Sequence, residues 1–263
     1  VGMPMFQGYG LTEATPIICA NSVDHARFGS SGRIVRPMDC VILDAEGNEV
    51  PHGTRGEIVI RGENVMAGYW KNPKATADTV VDGWLHTGDM GYICPEDPEF
   101  LYVVGRFKSL LISSDGEKYS PEGFEDNFTE TSKWVNACVL HNNQKPYCVA
   151  LMVPEKAALA EAATKHGLDP ASKEGKLYML DLIQADIDSY KKGGKREGVF
   201  PERWLPSAVG ICDEEFTIAN KMMNSTMKIV RGKVEEHYAD LLDYLYTAEG
   251  KDIHNARNLS AIQ

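Results

Sequence analysis

Short apolar runs separated by turn residues dominate the first part of the chain. Residues 41–43 and 57–60 alternate or run apolar between turn signals, a spacing that predicts antiparallel strands. Asn72 followed by Pro73 has the residue types of a helix N-cap and a first helical turn, which predicts a short helix through Ala77. The pattern over residues 1–104 therefore predicts a mostly antiparallel β subdomain.

Helical periodicity appears in the second part of the chain, where it alternates with strand-like runs. Apolar residues at helical spacing predict helices over residues 156–166, 175–190 and 230–245. Apolar runs predict strands over residues 135–140, 147–153 and 209–212. Residues 105–263 should therefore form a small mixed sheet flanked by helices. The predicted fold class is α+β, an antiparallel β subdomain followed by a small α/β domain.

The stretch around residue 105 joins these two parts. Apolar runs at residues 101–104 and 110–112 flank Gly105, Arg106 and Lys108, and taken alone they predict a β-hairpin with a basic tip. Pro121 then predicts the start of a helix. Residues 216–228 predict a polar, flexible segment. The tail, residues 247–263, has little periodicity, so we expect it to be disordered or loosely packed.

Composition narrows the class of function. The formal net charge of −11 and the lack of a basic face disfavour nucleic-acid binding, because phosphate neutralisation supplies most of that affinity. No apolar run approaches the ~20 residues that span a bilayer. Six cysteines without a Cys-x-x-Cys pair predict reduced thiols in a cytoplasmic protein. Because a glycine-rich motif follows Val1 so closely, we expect the chain to be a fragment of a longer protein.

The first candidate site is a glycine-rich motif near the start of the chain. Gly8 and Gly10 allow a ligand to approach the backbone, and Tyr9 between them offers a flat ring for stacking. Thr12 is suited to a phosphate oxygen, and Glu13 is suited to a hard cation such as Mg²⁺. An ordinary strand-to-helix turn is the alternative interpretation of this motif.

A second candidate site lies in the middle of the chain. Asp89 follows Thr87 and Gly88, and its carboxylate is suited to accept two vicinal hydroxyls of a ribose. A solvated turn aspartate is the alternative. We expect His86 to be a packing or turn residue. The basic loop at residues 191–196 either meets a phosphate or is a solvated helix end, where lysine complements the helix dipole.

Four motifs occur in an order that resembles the AMP-forming acyl-CoA synthetases of the adenylate-forming superfamily. Residues 9–13 (YGLTE) are similar to the family's tyrosine-glycine-x-threonine-glutamate motif, and residues 82–91 (DGWLHTGDMG) to the signature of its fatty-acid members. Residues 105–125 resemble the family's hinge, and residues 216–238 the long-chain form of its catalytic-lysine motif. The resemblance implies that residues 1–104 end a large AMP-binding domain and that residues 105–263 form a mobile C-terminal lid.

The resemblance implies a two-step reaction. A carboxylate, expected to be a long-chain fatty acid, attacks the α-phosphate of ATP and releases pyrophosphate. Coenzyme A then cleaves the acyl-adenylate and releases AMP. Lys228 is the implied catalytic lysine between the carboxylate and the α-phosphate, Thr12 the implied phosphate contact, and Glu13 the implied ligand of Mg²⁺. Charge that builds on the phosphates in such a step needs fixed cations nearby.

The resemblance also implies contacts to the nucleotide and to coenzyme A. Tyr9 would stack on adenine, and Asp89 with Arg106 would hold the ribose hydroxyls. Lys108 occupies the hinge position, where rotation would bring the loop that ends at Gly116 toward the pantetheine arm. The residues assigned to nucleotide and coenzyme A are Gly8, Tyr9, Gly10, Thr12, Asp89, Arg106, Lys108 and Gly116.

Two departures from the family pattern affect what is expected. Residues 116–121 read GEKYSP, where the fatty-acid signature usually continues GEYVAP. Ser225 stands where the lysine motif usually has proline. The family's phosphate-binding loop and most of its acyl pocket lie upstream of the tyrosine-glycine motif. We therefore expect this chain alone not to catalyse adenylation, although the intact protein does.

Three alternatives stay open at this point. A sibling synthetase would activate an aryl or medium-chain acid. A peptide-synthetase adenylation domain is disfavoured, because no carrier-protein segment follows Leu245. A non-catalytic nucleotide-binding or interaction module is a third alternative, and the intact set of implied site residues argues against it. We expect at most peripheral membrane contact, because no amphipathic basic helix is evident.

Overall fold

The structure is a computed structural model that describes residues 4–106 and 109–262. The chain divides into two compact units, one within residues 1–109 and the other within residues 110–263. Among the described helices of both units, none is long and apolar enough to cross a membrane. The assignment of residues 1–104 to the end of a large domain, and of residues 105–263 to a mobile lid, stays a prediction.

The first unit is an antiparallel sheet with one short helix. Its strands follow the order β1-β2-β3-β8-β7-β5-β4, and β6 pairs with β7. The strands predicted at residues 41–43 and 57–60 are confirmed as the paired β4 and β5. The elements are β1 (Gly8–Gly10), β2 (Ile17–Ala20), β3 (Gly32–Ile34), β4 (Met38–Leu43), β5 (Gly56–Gly62), α1 (Pro73–Thr79), β6 (Val80–Val81), β7 (Trp84–Ile93) and β8 (Phe100–Arg106).

Apolar side chains on one face of this sheet form the core of the first unit. Ile18, Ile58, Ile60, Leu85 and Leu101 are fully buried there. Val59, between Ile58 and Ile60, is also buried, although it points to the opposite face of β5. The central strand β7 carries both core residues and the candidate site residues around Gly88.

The second unit is a mixed sheet covered by helices, as the sequence predicts. Strand β11 pairs antiparallel with β12, and β12 pairs parallel with β13. A separate two-stranded sheet is formed by β9 and β10. The elements are β9 (Leu111–Ile112), β10 (Lys118–Tyr119), α2 (Glu122–Thr131), β11 (Val135–His141), β12 (Val149–Pro154), α3 (Lys156–Lys165), α4 (Lys173–Asp188), β13 (Ala208–Ile211), α5 (Arg231–His237), α6 (Ala239–Leu245) and α7 (Ala256–Ala261).

Helices bury both faces of the three-stranded sheet. Every residue of the central strand β12 is buried. Met152 packs in a cluster with Phe128 of α2 and Ile183 of α4, whereas its neighbour Leu151 packs in a second cluster with α5 and α6. This two-sided burial explains why β12 is apolar along its whole length instead of alternating.

The hairpin alternative for residues 101–112 is wrong. Strand β8 pairs with β7 and with β3, and β9 pairs with β10. The two apolar runs therefore complete different sheets in different units. Their spacing resembles a hairpin, but the hydrogen-bonding partners of each strand lie elsewhere in the chain.

The single helix predicted over residues 230–245 is also wrong in detail. Two helices, α5 and α6, meet at Tyr238, whose backbone (φ −100°, ψ 23°) departs from helical values. The Tyr238 side chain is buried, and its hydroxyl donates to the Asp213 carboxylate at 3.0 Å. A tertiary contact thus breaks a helix that periodicity alone would continue.

The tail, which the sequence predicts to be disordered or loosely packed, is ordered in its described part. Helix α7 starts at an N-cap, Asn255, and Ile253 and Ile262 are buried. The Asn258 side chain is fully buried and completes the edge strand β13. It accepts from the Ile211 N–H at 2.9 Å and donates to the Val209 carbonyl at 2.8 Å. A side-chain amide thereby replaces a missing strand.

Asn258→Ala should lower the free energy of unfolding by about 2–4 kcal/mol, because it leaves buried strand groups without partners. Chemical denaturation of the chain, compared with the control Ser260→Ala, measures the difference. Ser260 lies in the same helix with its side chain exposed, so its replacement should change little. Equal stability of the two variants would show that the Asn258 contacts do not anchor the tail.

Candidate functional site

The glycine-rich motif forms a tight turn between β1 and β2. Strand β1 leads into a short 3₁₀ turn over Thr12–Ala14, which places Thr12 on the surface. The Leu11 N–H donates to the Pro16 carbonyl at 2.8 Å. A Cβ atom at Gly10 would lie 1.8 Å from that same oxygen, so this position tolerates only glycine. The alternative of an ordinary strand-to-helix turn is wrong, because the three-residue 3₁₀ turn leads into strand β2 and not into an α-helix.

Tyr9, Asp89 and Arg106 form a polar cluster next to this turn. The Tyr9 hydroxyl donates to Asp89 Oδ2 at 2.5 Å, and Arg106 Nε lies 3.5 Å from Asp89 Oδ1. Asp89 and Arg106 are cross-strand partners in β7 and β8. Asp89 is only 6% exposed, so it is not a solvated turn aspartate. Burial, and then the hydrogen bond to Asp89, raise the pKa of Tyr9, which keeps the phenol protonated.

The contact between Tyr9 and Asp89 is a feature that the sequence did not predict. The motif suggested a ring free to stack, whereas the hydroxyl end of this ring orients the carboxylate assigned to the ribose. Residues 80 positions apart meet here, although three strands lie between β1 and β7 in the sheet order. Separations of this size leave no signal in local patterning.

Glu57 holds the part of β7 that precedes Asp89. One oxygen of its carboxylate lies 3.0 Å from His86 Nδ1, and the other accepts the Gly88 N–H at 3.0 Å. The Thr87 hydroxyl donates to the Ile58 carbonyl at 2.7 Å and accepts the Asp89 N–H at 3.1 Å. His86 therefore lies in strand β7 beside Glu57 and not in a turn, and sequence reasoning missed Glu57.

An open cleft of about 560 Å³ runs beside this cluster within the first unit. Polar side chains form part of its lining, namely those of Glu13, Glu57, Tyr69, His86, Asp89 and Arg106. The Tyr69 hydroxyl donates to Glu13 Oε1 at 2.8 Å, which orients this carboxylate at the cleft. Tyr69 was not a sequence candidate. A tyrosine is suited to such a role because its body packs while its hydroxyl reaches a polar partner.

Glu13 fits a magnesium ion that is shared with a phosphate ligand. Mg²⁺ keeps several waters and commonly takes one or two protein carboxylates together with substrate phosphates. Within residues 4–106 and 109–262, no group of three or more histidine, cysteine, aspartate or glutamate residues could form a complete protein metal site. A single oriented carboxylate at an open cleft suits a magnesium site that is shared with a substrate phosphate.

In the second unit, Lys228 lies at the end of a closed turn. The Asn224 N–H donates to the Lys228 carbonyl, and the Asn224 side chain accepts the N–H groups of Thr226 and Lys228, all at 2.9–3.0 Å. Met222, just before this turn, is buried. The segment is thus more ordered than its polar composition predicts. Asn224 closes the turn that contains Ser225, where the family usually has proline.

The loop that ends at Gly116 is also a defined turn. The Gly116 N–H donates to the Ser113 carbonyl at 2.9 Å, and the backbone of Gly116 has φ +85°, which favours glycine. The Asp115 carboxylate accepts from the Ser113 hydroxyl at 2.5 Å. Lys108, predicted as the hinge residue, lies outside the described residues.

Comparison with known proteins agrees with the motifs. The family model described as "AMP-binding enzyme" matches residues 1–70. Two relatives from Arabidopsis thaliana cover 94% of the chain: a probable acyl-activating enzyme 16 (chloroplastic), 32% identical, and the chloroplastic long-chain-fatty-acid–[acyl-carrier-protein] ligase AEE15, 31% identical. Human long-chain-fatty-acid–CoA ligase 1 is 28% identical over the same share. The chain spans about a third of these relatives, namely 35%, 33% and 35% of their lengths.

Solved structures agree with the fold. The adenylation domain of a carboxylate reductase from Mycobacterium chelonae has a TM-score of 0.69 and 25% identity, with 92% of this chain and 34% of that chain covered. The corresponding domain from Segniliparus rugosus, in complex with AMP and a co-purified carboxylic acid, has a TM-score of 0.66 and 26% identity over 92% and 35% of the two chains. The chain belongs to the adenylate-forming family of AMP-binding enzymes.

Proposed function

We propose that the complete protein is an ATP-dependent acid–thiol ligase that activates a long-chain fatty acid. In this proposal the acid becomes an acyl-adenylate and is then transferred to coenzyme A. The observation that carries the proposal is the Tyr9–Asp89–Arg106 cluster beside a cleft that also presents Glu13. The cluster offers a buried, oriented carboxylate for a ribose, and a second carboxylate lies at the same cleft for a phosphate-bound cation.

Each side chain of the cleft has a defined task in the proposed adenylation step. Asp89 accepts hydrogen bonds from the ribose hydroxyls, while Tyr9 and Arg106 hold its two oxygens in place. Thr12 donates to a phosphate, and Tyr69 orients Glu13. A magnesium ion bound there would neutralise charge on the phosphates. Lys228, a residue of the second unit, is proposed to bridge the carboxylate of the acid and the α-phosphate.

A long-chain fatty acid is the proposed substrate because it appears in the names of two relatives that cover 94% of the chain. Coenzyme A is the proposed thiol, after the human ligase. An acyl carrier protein is the second candidate acceptor, since the name of AEE15 specifies it. The cytoplasmic location stays a prediction, and two of the relatives are chloroplastic by name.

The acid and the thiol can be identified with one assay. The complete protein is incubated with ATP, Mg²⁺ and each member of a panel of acids from acetate to long-chain fatty acids, including an aryl acid. Each mixture receives either coenzyme A or a phosphopantetheine-bearing carrier protein, and mass spectrometry detects the thioester. We expect long-chain acyl-CoA to dominate. If an aryl or short acid is preferred, the proposed long-chain substrate is wrong. If the thioester forms on the carrier protein alone, coenzyme A is not the acceptor.

A further inference from the structure

Arg231 occupies an unfavourable position for a basic residue. It is the first residue of α5, three residues after Lys228. The N-terminus of a helix carries partial positive charge, so a cation there opposes the helix dipole. A basic residue at this position therefore indicates a compensating contact or a functional requirement.

The compensating contact is a nearly buried ion pair. Arg231 Nη2 lies 2.8 and 2.7 Å from the two carboxylate oxygens of Glu125 in α2, and Nη1 donates to the Leu140 carbonyl at 2.6 Å. Glu125 Oε1 also accepts the Leu140 N–H at 2.6 Å. The side chains are only 20% and 11% exposed. The pair thus joins α2 and the end of β11 to the start of α5.

The backbone just before Arg231 closes the turn that carries Lys228. The Val230 N–H donates to the Met222 carbonyl at 2.8 Å, and Met223 and Ile229 form a β-bridge that closes the base of the turn. One helical turn after Arg231, Glu235 Oε1 lies 2.8 Å from His141 Nδ1. The chain that follows Lys228 is therefore fixed to two consecutive residues of β11.

Stability alone is a weak explanation for this pair. A buried ion pair is often no more stabilising than apolar residues of similar volume, because both charges lose water. Burial raises the pKa of Glu125 even with Arg231 beside it, so desolvation outweighs the attraction at this carboxylate. What the pair provides is geometry, since a guanidinium fork bonded to a carboxylate and a carbonyl fixes its backbone.

We propose that Arg231, held by Glu125 and Leu140, is a positioning residue that fixes the turn presenting Lys228 for adenylation. The inference rests on the proposed function for the chemistry of Lys228, and on the contacts within the second unit for the placement. Arg231 itself touches no substrate in this proposal. A misplacement of about 1 Å at a reacting group can cost ~10²-fold in rate, so a looser anchor should reduce adenylation without removing any catalytic group.

Arg231→Lys and Glu125→Gln test the proposal in the complete protein. Lysine keeps the charge and loses the fork, and glutamine keeps the size and loses the charge. Arg257→Met is the matched control, because Arg257 also donates to a backbone carbonyl, that of Asp240, and lies over the ring of Tyr244. Three quantities are measured: kcat and KM of adenylation, the rate of thioester formation from added acyl-adenylate, and hydrogen exchange of the amides of residues 222–230.

The proposal predicts that Arg231→Lys lowers kcat of adenylation by about 10–100-fold. The KM for ATP and the thioester step should not change, and the amides of residues 222–230 should exchange faster. Glu125→Gln should act in the same direction, and Arg257→Met should match the wild type in all three measurements. Wild-type adenylation and wild-type amide protection in folded Arg231→Lys protein would overturn the inference. If the wild type does not adenylate any acid, the proposed function fails, while the amide exchange still decides whether Arg231 fixes the turn.

Discussion

Lys228→Met in the complete protein is expected to lower the rate of acyl-adenylate formation by about 10²–10³-fold, the usual cost of removing one fixed group that stabilises developing charge. The proposed role of Lys228 is to offset charge between the attacking carboxylate and the α-phosphate. Methionine keeps an unbranched side chain and removes the cation. Single-turnover kinetics of adenylation, followed by the release of pyrophosphate, measures the effect.

The control for Lys228→Met is Lys233→Met. Lys233 lies in the next helix and forms an exposed pair with Glu236 at 2.7 Å, and such pairs contribute little to stability. The Asn224 turn holds Lys228 by its backbone, so the methionine variant should fold normally. If folded Lys228→Met protein adenylates as fast as Lys233→Met, Lys228 has no role in the adenylation step.

Asp89→Asn is expected to weaken the binding of AMP by about 10–100-fold, because a hydrogen bond to a charged group contributes about 1.5–3 kcal/mol. The carboxylate accepts from Tyr9 on one oxygen and lies beside Arg106 on the other. Asparagine has one acceptor oxygen, and its NH₂ group is a donor. This NH₂ group would face either the Tyr9 hydroxyl or Arg106, which are donors themselves, so the cluster cannot keep its present geometry. Calorimetric titration of the complete protein with AMP measures the affinity.

Asp39→Asn serves as the matched control for Asp89→Asn. Asp39 pairs with Arg61 across β4 and β5 at 2.8 Å, in the same cross-strand arrangement, and both side chains are more than half exposed. The control should bind AMP as the wild type does. Thermal unfolding of both variants separates affinity from stability. Unchanged AMP affinity in folded Asp89→Asn protein would contradict the assignment of Asp89 to the ribose.

Local patterns predicted the individual elements well. The strands at residues 41–43 and 57–60, the helix start after Asn72 and the mixed sheet of the second unit follow from periodicity and capping residues. These features depend on neighbours in sequence. Errors arose where a distant contact decides the structure. Tyr238 interrupts a regular helix through Asp213, and Asn258 anchors a tail of low periodicity to β13.

The candidate site shows the same difference between local patterns, which the sequence reveals, and distant contacts, which it does not. Its residues were named from motifs, that is, from a family resemblance that is carried by short stretches. The contacts between them were not predictable, because Tyr9 and Asp89, Glu13 and Tyr69, and Glu57 and His86 are each separated by at least 29 positions. Glu57 and His86 lie on the paired strands β5 and β7, whereas the other two contacts join segments that are not paired with each other. The geometry that orients each carboxylate is therefore information that the structure adds.

Carboxylate-dependent exchange of pyrophosphate into ATP tests the central claim most directly, because it requires adenylation and does not require the thiol. The complete protein is assayed with acids from short to long chain, and the 263-residue chain serves as the control. The proposed function predicts exchange that is greatest with long-chain fatty acids, and no exchange from the chain alone. Absence of exchange with every acid, together with retained binding of AMP, would contradict the ligase and favour a nucleotide-binding module.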